Sequence, residues 1–262
     1  MRRNTTGSRP VESVRRVFAL LAELNCRRIS SVQQLHEATS LPKSTIVRLL
    51  NTLCTLGYAT NDPRQGGYLV ASQVRSLSAG FCGDPMVVEA ARPWSIEFTR
   101  RYHLPVTVAV FDQNNMAVRF STSKDTPMSP HHTSHNMRLP ILTRAVGRAY
   151  LAYCPARERN RIIKTLRSSP HPEDQIANEP DEVDKMINGV LRRGFAERAV
   201  SAEPRSSNSF SVPIIQQQNV MATIGVSYYR SAVPSAKARS EYVPLLFDLA
   251  ENIKKSLGDL NG

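Results

Sequence analysis

The residues best suited to chemistry lie in LPKSTIVRLLNTLCTL (41–56). From Pro42 onward, Ile46, Leu49, Leu50, Leu53 and Leu56 recur at steps of three and four. That spacing gathers them on one face of a helix. The opposite face carries Ser44, Val47, Arg48, Asn51 and Thr55: one cation, short polar side chains, a small apolar one and no carboxylate. An apolar back with a hydrogen-bonding front suits a DNA major groove. Helix-turn-helix shapes also occur in proteins that bind no DNA, so the flanking residues must decide. A second group, His131, His132 and His135, has the clustering of metal ligands. No Cys, Asp or Glu joins it at ligand spacing, so no metal is expected. The chain has no G-x-S-x-G, no phosphate loop of the G-x-x-x-x-G-K type and no dinucleotide fingerprint. Its serines and histidines follow no nucleophile–base pattern, so neither an enzyme nor a cofactor is expected.

The elements around residues 41–56 favour DNA. A first helix is expected from about Glu12 to Asn25, with Val14, Val17, Phe18, Leu21 and Leu24 as its apolar stripe. Arg15 and Arg16 sit near its start, where the helix dipole disfavours cations. A nearby phosphate would relieve that cost; a plain solvated pair is the other reading. Ser31 and Gln34 have the spacing of a capping box for a second helix, whose Val32, Leu35 and Ala38 point inward. Thr39, Ser40 and Leu41 make the turn, Pro42 opens the third helix and Gly57 ends it. Tyr58-Ala59-Thr60 and Tyr68-Leu69-Val70 flank the turn-forming NDPRQGG, which reads as a β-hairpin with Arg64 at its tip. Three helices followed by a basic hairpin make a winged helix.

Charge agrees with this placement. The chain of 262 residues carries +12, and residues 1–80 hold 11 Lys and Arg against 4 Asp and Glu. Residues 81–262 hold 23 against 18, a much thinner excess. Such a concentration favours an anionic partner for the first part. Residues 1–10 form a basic arm, either a phosphate-contacting segment or a loose tail. They have no apolar run behind them and do not read as a signal peptide. No apolar stretch approaches the ~20 residues that span a bilayer. Cys26, Cys54, Cys82 and Cys154 are scattered, as expected of reduced thiols in a cytoplasmic protein.

The expected domains are the winged helix at 11–73, a linker helix at 74–84, and a second domain at 85–262. In the last, a helix is expected from Pro85 to Tyr102, then strands 104–111 and 116–122, a polar loop 123–137 and a helix from Thr143 to Tyr153. A basic helix follows from Pro155 to Leu166, then a loop from Ser168 to Pro180 and a helix from Asp181 to Arg193 ended by Gly194. Strands 209–215 and 221–229 come next. Ser235 to Leu257 reads as a closing helix, broken or restarted near Pro244. This is an α+β pattern, an antiparallel sheet with helices on both sides.

The motifs ESVRRVFALL (12–21), LPKSTIVRLLNTLCTLGYA (41–59), GYLV (67–70), RLPILTRAVGRAYLAYCP (138–155), RRGFAE (192–197), SVPI (211–214) and IGVS (224–227) resemble the IclR family of bacterial transcriptional regulators, over nearly the whole chain. Arg16, Thr45, Arg48, Leu49, Leu50, Leu53, Gly57 and Tyr58 match positions typical of its DNA-binding part. The resemblance implies a winged helix, a linker helix and an effector domain of GAF-like or profilin-like shape. It also implies dimers formed through the N-terminal part and often tetramers. Residues 138–155 look most like members controlling aromatic acid degradation. The chain departs from the family at Ser206-Ser207-Asn208, where a Gly is common, and at Glu203, where an acidic pair is common.

The expected function is a sequence-specific regulator on a double-stranded operator, controlled by an organic or aromatic acid. Ser44, Val47 and Arg48 would face base edges, Lys43, Thr45, Arg16 and Arg64 would hold phosphates, and Ser31 and Asn51 are further DNA-binding candidates. RNA polymerase is a further expected partner. The expected pocket lies between the sheet and helix 143–153. Its candidate residues are Val108, Val110, Phe120, Leu139, Thr143, Arg144, Ala145, Tyr150, Ser209, Ser211 and Ser227. The other readings are a DNA-binding regulator acting without a small molecule, and an enzyme on the second domain.

Overall fold

The computed structural model describes residues 11–78, 85–129 and 137–259. The basic arm, the three clustered histidines, and the part of the expected linker helix beyond Ser78 lie outside them. The chain divides into two compact units, Met1–Cys82 and Gly83–Gly262.

In the first unit, α1 (Glu12–Cys26), α2 (Val32–Thr39) and α3 (Lys43–Thr55) are followed by the hairpin β1 (Ala59–Asp62) and β2 (Gly67–Val70). Ser31 and Gln34 form the capping box: the Ser31 hydroxyl accepts the Gln34 N–H at 3.2 Å and the Gln34 side chain accepts the Ser31 N–H at 2.8 Å. Ser40 turns the chain at φ 57°. Leu20, Leu24, Leu35, Ile46, Leu50, Leu53 and Ala59 form the core. The inward stripe of α1 therefore runs through Leu20 and Leu24, flanked by Val17 and Leu21. Val14 and Phe18, expected within it, are exposed, as is Ala38 on α2. A core this small is filled by one narrow stripe per helix, and the next apolar row is left facing out. Ser30 and Tyr68 exchange two backbone hydrogen bonds of 2.9 Å, tying the wing to the start of α2. Gly67 permits this approach, since a Cβ there would lie 2.9 Å from the Ser30 carbonyl oxygen. A 3-10 turn at Ser72–Ser78 begins where a linker α-helix was expected.

The second unit is built on a six-stranded antiparallel sheet in the order β5-β4-β3-β8-β7-β6. Its members are β3 (Val106–Asp112), β4 (Asn115–Ser121), β5 (Arg138–Pro140), β6 (Ala196–Glu197), β7 (Ser207–Gln216) and β8 (Asn219–Tyr229). One face packs on α4 (Met86–Tyr102) and α8 (Ser235–Asp259), the other on α5 (Ala145–Tyr153), α6 (Ala156–Leu166) and α7 (Pro180–Arg193). Side-chain alternation along the strands decides which residues see which layer. Val106, Val108 and Val110 of β3 and Ile224 and Val226 of β8 face α4 and α8. Ala109 of β3 belongs to the other layer. β6 pairs only with Phe210 and Ser211 of β7; two residues further along, β7 carries Pro213.

Three local expectations need correction. α8 runs unbroken through Pro244. Ala238, Val243, Leu246, Leu249, Ala250, Ile253 and Leu257 keep one face of it buried on both sides of the proline, and that packing outweighs the lost N–H. Arg138–Pro140, expected only as an approach to a helix, is an edge strand paired with β4. Between Ser168 and Pro180, expected as a loop, Pro172–Asn178 forms a 3-10 turn capped by His171, and Pro180 itself starts α7. Among the described residues, no helix is long and apolar enough to cross a membrane.

Candidate nucleic-acid interface and effector cavity

Burial of Ile46, Leu50 and Leu53 leaves Lys43, Ser44, Val47, Arg48, Asn51 and Thr55 exposed on α3. Thr45 is half-buried at the edge of this face. Among the described residues, no hydrogen bond or ion pair to protein holds the side chains of Lys43, Arg48 or Arg64. The Thr55 hydroxyl donates back to the Asn51 carbonyl at 3.0 Å, which ties it to its own helix. At the wing tip the Asp62 carboxylate accepts the Arg64 N–H at 2.9 Å and the Gln65 N–H at 3.3 Å. This short-range turn fixes the backbone under an exposed Arg64 side chain.

Arg15 and Arg16 have a local counter-ion. Glu12, the first residue of α1, accepts from Arg15 Nε and from Arg16 Nε, each at 2.8 Å. These two guanidinium groups hold the Glu12 carboxyl down at about 2. The dipole cost attributed above to unpaired cations is thus met by Glu12 without a phosphate. The Ser31 hydroxyl is likewise engaged as the cap of α2.

The second unit contains a cavity of about 620 Å³. Its floor is the α5 side of the sheet, with Thr107, Ser209, Gly225 and Ser227. Its walls are β5 with Leu139 and Pro140, and the start of α5 with Arg144, Ala145 and Val146. Residues Ser169, His171, Glu173 and Asp174, with Glu203, border it from the connecting segments. Gly147 lets α5 begin here: a Cβ would stand 2.4 Å from the Ile141 backbone. Gly225 lets the helix lie on the sheet, since its Cβ would approach the Phe210 carbonyl oxygen at 2.9 Å and Val146 at 3.4 Å. The Arg148 N–H is bonded back to the Arg144 carbonyl, so Ala145 and Val146 stand in the first turn of α5, whose N–H groups lack helical partners.

Three arginines border this space. Arg138 pairs with Asp112 at 2.7 Å. Arg144 pairs with Glu173 and also donates to the Glu203 carbonyl at 2.5 Å. The Glu173 carboxylate accepts the Thr143 hydroxyl as well. Arg198 is 6% exposed, and among the described residues its one side-chain hydrogen bond goes to the Ser207 hydroxyl at 2.9 Å. Its Nε and Nη2 have no partner among the described residues. Burial, and then neighbouring Arg144, push its guanidinium down to about 10, with Glu173 acting in the opposite sense.

Of the residues expected to form a pocket, Leu139, Arg144, Ala145, Ser209 and Ser227 line the cavity. Thr143 is buried just behind it against Glu173. Val108, Val110 and Phe120 are not brought there. The valines face α4 and α8, and a bulge pairs Phe120 with Val108 on that same side, where Arg92 lies over its ring at 4.7 Å. Tyr150, one helical turn and more from the start of α5, stacks on Phe111 at 4.8 Å and donates to Glu158. The Ser211 hydroxyl donates to the Ile224 carbonyl at 2.8 Å within the sheet. Sequence reasoning missed Thr107, Glu173 and Arg198. The available signal for Arg198 was its place in FAERAV, a cation amid apolar residues just after Gly194.

Two family models match: the IclR helix-turn-helix domain over residues 13–63, and the bacterial transcriptional regulator IclR C-terminal domain over 84–255. The HTH-type transcriptional regulator TsaQ1/TsaQ2 of Comamonas testosteroni is 23% identical over 96% of this chain and 90% of its own length. The crystal structure of a transcriptional regulator from Rhodococcus sp. RHA1 superposes with a TM-score of 0.64 at 20% identity, covering 95% of this chain and 99% of that one. An IclR homologue from Microbacterium hydrocarbonoxydans, solved with 4-hydroxybenzoate, gives 0.58 at 18% identity, over 94% and 99%.

Proposed function

This chain belongs to the IclR family of DNA-binding transcriptional regulators, and from that membership we propose how its two units divide the work. The winged helix reads an operator with α3. Ser44, Val47, Arg48 and Asn51 face base edges, while Lys43, Thr45 and the wing's Arg64 hold phosphates. Arg16 joins them by exchanging Glu12 for a phosphate, and Ser31 supports α2 beside the backbone. The observation that carries this reading is the exposed, carboxylate-free face of α3, whose cations no group among the described residues holds.

Two copies are needed to read a near-palindrome with α3 in successive major grooves. The exposed apolar row of Val11, which precedes α1, and Val14 and Phe18 within it, with Phe18 59% exposed, suits contact between copies. Dimers, or tetramers built from them, act in the cytoplasm, and the effector alters DNA affinity or contact with RNA polymerase. The cavity of the second unit holds that effector, an organic acid and most simply an aromatic one. The mixture of apolar walls, hydroxyls and arginine supports this class, as does the 4-hydroxybenzoate found in the Microbacterium homologue. The effector acts only if it binds one arrangement of the protein better than the other.

The test is footprinting on DNA upstream of the chain's own gene and its neighbours, with and without candidate acids. Protection that an acid alters supports the reading. Protection that no acid alters leaves a regulator without a small molecule, and turnover of the acid points to an enzyme. On the protected site, Arg48→Ala is expected to cost about 1–3 kcal/mol and to relax base preference. Lys43→Ala is expected to weaken all DNA alike and to reduce the salt slope by about one. Fluorescence anisotropy on the site and on random DNA, across a salt series, separates the two. Equal binding of both DNAs by wild type and Arg48→Ala would remove Arg48 from base readout.

A further inference from the structure

The cavity's arginines are unequal. Arg138 and Arg144 each have a carboxylate already, in Asp112 and Glu173. Arg198 has none within hydrogen-bonding distance, although it is among the most buried charges described. A buried cation with no hydrogen-bonded counter-ion is costly, and such a group is a candidate for meeting a charged partner. Nε and Nη2, which have no partner among the described residues, form one edge of the guanidinium; that edge is shut from solvent, so a ligand meets it only when the Arg198 side chain or its neighbours shift, and its shape then matches the two oxygens of a carboxylate. The Arg198 backbone N–H is bonded to the Ser209 carbonyl, and the next residue, Ala199, donates to the Thr143 carbonyl at 2.8 Å. The arginine is therefore anchored by its main chain between the cavity floor at Ser209 and the entry to α5. The first turn of α5 adds a positive dipole end on the same side of the cavity.

We propose that Arg198 is the anchor for the effector's carboxylate, and that the site admits one carboxylate because Arg144 is reserved for Glu173. The rest of the ligand then lies over Thr107 and Ser227 toward Leu139 and Pro140, which fits a flat body of mainly apolar surface. This rests on the acid-effector reading given above and names the residue that confers it.

The test measures binding to the full-length protein of 4-hydroxybenzoate, of its uncharged amide and of terephthalate, a flat diacid, by calorimetry. Wild type is expected to prefer the monoacid to the amide by at least about tenfold, the size of a charged hydrogen-bonded pair. Arg198→Met is expected to erase that preference by losing acid affinity with little change for the amide. Arg198→Lys keeps the charge without the two-pronged edge, and is expected to restore part of the preference. Arg144→Met is expected to retain it. Glu173→Gln, which frees Arg144, is expected to raise affinity for terephthalate several-fold relative to the monoacid. A wild-type preference that survives in Arg198→Met, or that disappears in Arg144→Met alone, overturns the anchor while leaving the acid effector standing. The absence of any acid preference in wild type overturns both. Equal terephthalate affinity in wild type and Glu173→Gln overturns the one-carboxylate restriction.

Discussion

Replacing Leu50 by Ala is expected to abolish DNA binding by unfolding the first unit while the second stays folded. Leu50 lies on the inward face of α3 and is fully buried. It shares its core with six other buried apolar residues, from α1, α2, α3 and β1. Truncating such a leucine costs about 2–5 kcal/mol, from lost burial and the cavity left behind. A unit this small has little stability to spare. The expected result is early loss of one transition in a thermal melt, rapid proteolysis near α3, and no shift of operator DNA. The effector domain should still bind its ligand. This outcome differs in kind from Arg48→Ala, which should leave both melts unchanged. A Leu50→Ala protein that melts like wild type and still binds DNA would show that the core described here is not what holds α3.

Gly147→Ala is the counterpart in the second unit. An alanine Cβ would sit 2.4 Å from both the Cα and the carbonyl oxygen of Ile141. These are backbone atoms and cannot swing aside as a side chain would. Ile141 and Leu142 are themselves buried, so relief requires moving the start of α5. Overpacking of this sort costs about 1–3 kcal/mol, and backbone contacts belong at the upper end. Arg144, Ala145 and Val146 would move with the helix, and all three line the cavity. The expected variant has a lower melting temperature for the second unit and a much reduced ligand-induced shift. Gly189→Ala makes the control. It also lies within a helix, but its Cβ would meet only the Arg193 side chain, at 3.8 Å. There the gain in helix propensity, about 0.5–1 kcal/mol, should raise stability. Equal effects at the two glycines would rule out the close approach as the reason for Gly147.

What could be read from the sequence follows from how local each signal is. The three-and-four spacing of Ile46, Leu50 and Leu53, the capping pair Ser31 and Gln34, and the turn residues around Arg64 act within a few positions, so the α3 face was legible residue by residue. The family resemblance, now shown by the matched models, likewise rested on contiguous motifs. The cavity depends instead on which face of a strand looks at α5. A strand's parity flips with a shift of one residue, so Val108 and Val110 were chosen where Thr107 is the residue at the cavity. Ser209 and Ser227 do line the cavity, and the Ser211 hydroxyl is engaged in a hydrogen bond inside the sheet. Arg198 and Glu173 lie far apart in sequence and reach the cavity from different connecting segments; no periodicity joins them. Pro244 misled for a related reason: a proline's local effect is readable, but the long buried face that overrides it belongs to the packed sheet and helices.

The short pairing of β6 with β7 bears on the behaviour of concentrated protein. An exposed β-strand edge is a template onto which further chains can stack. On this edge β7 is covered by β6 as far as Ser211, and the Ser209 carbonyl beyond the pair is taken by the Arg198 N–H. At Pro213, the next position facing the same way, there is no N–H to offer. At the far side the sheet ends in the three-residue β5, which terminates in Pro140. On the described residues each border thus carries a short strand and a proline, and both discourage growth by strand addition.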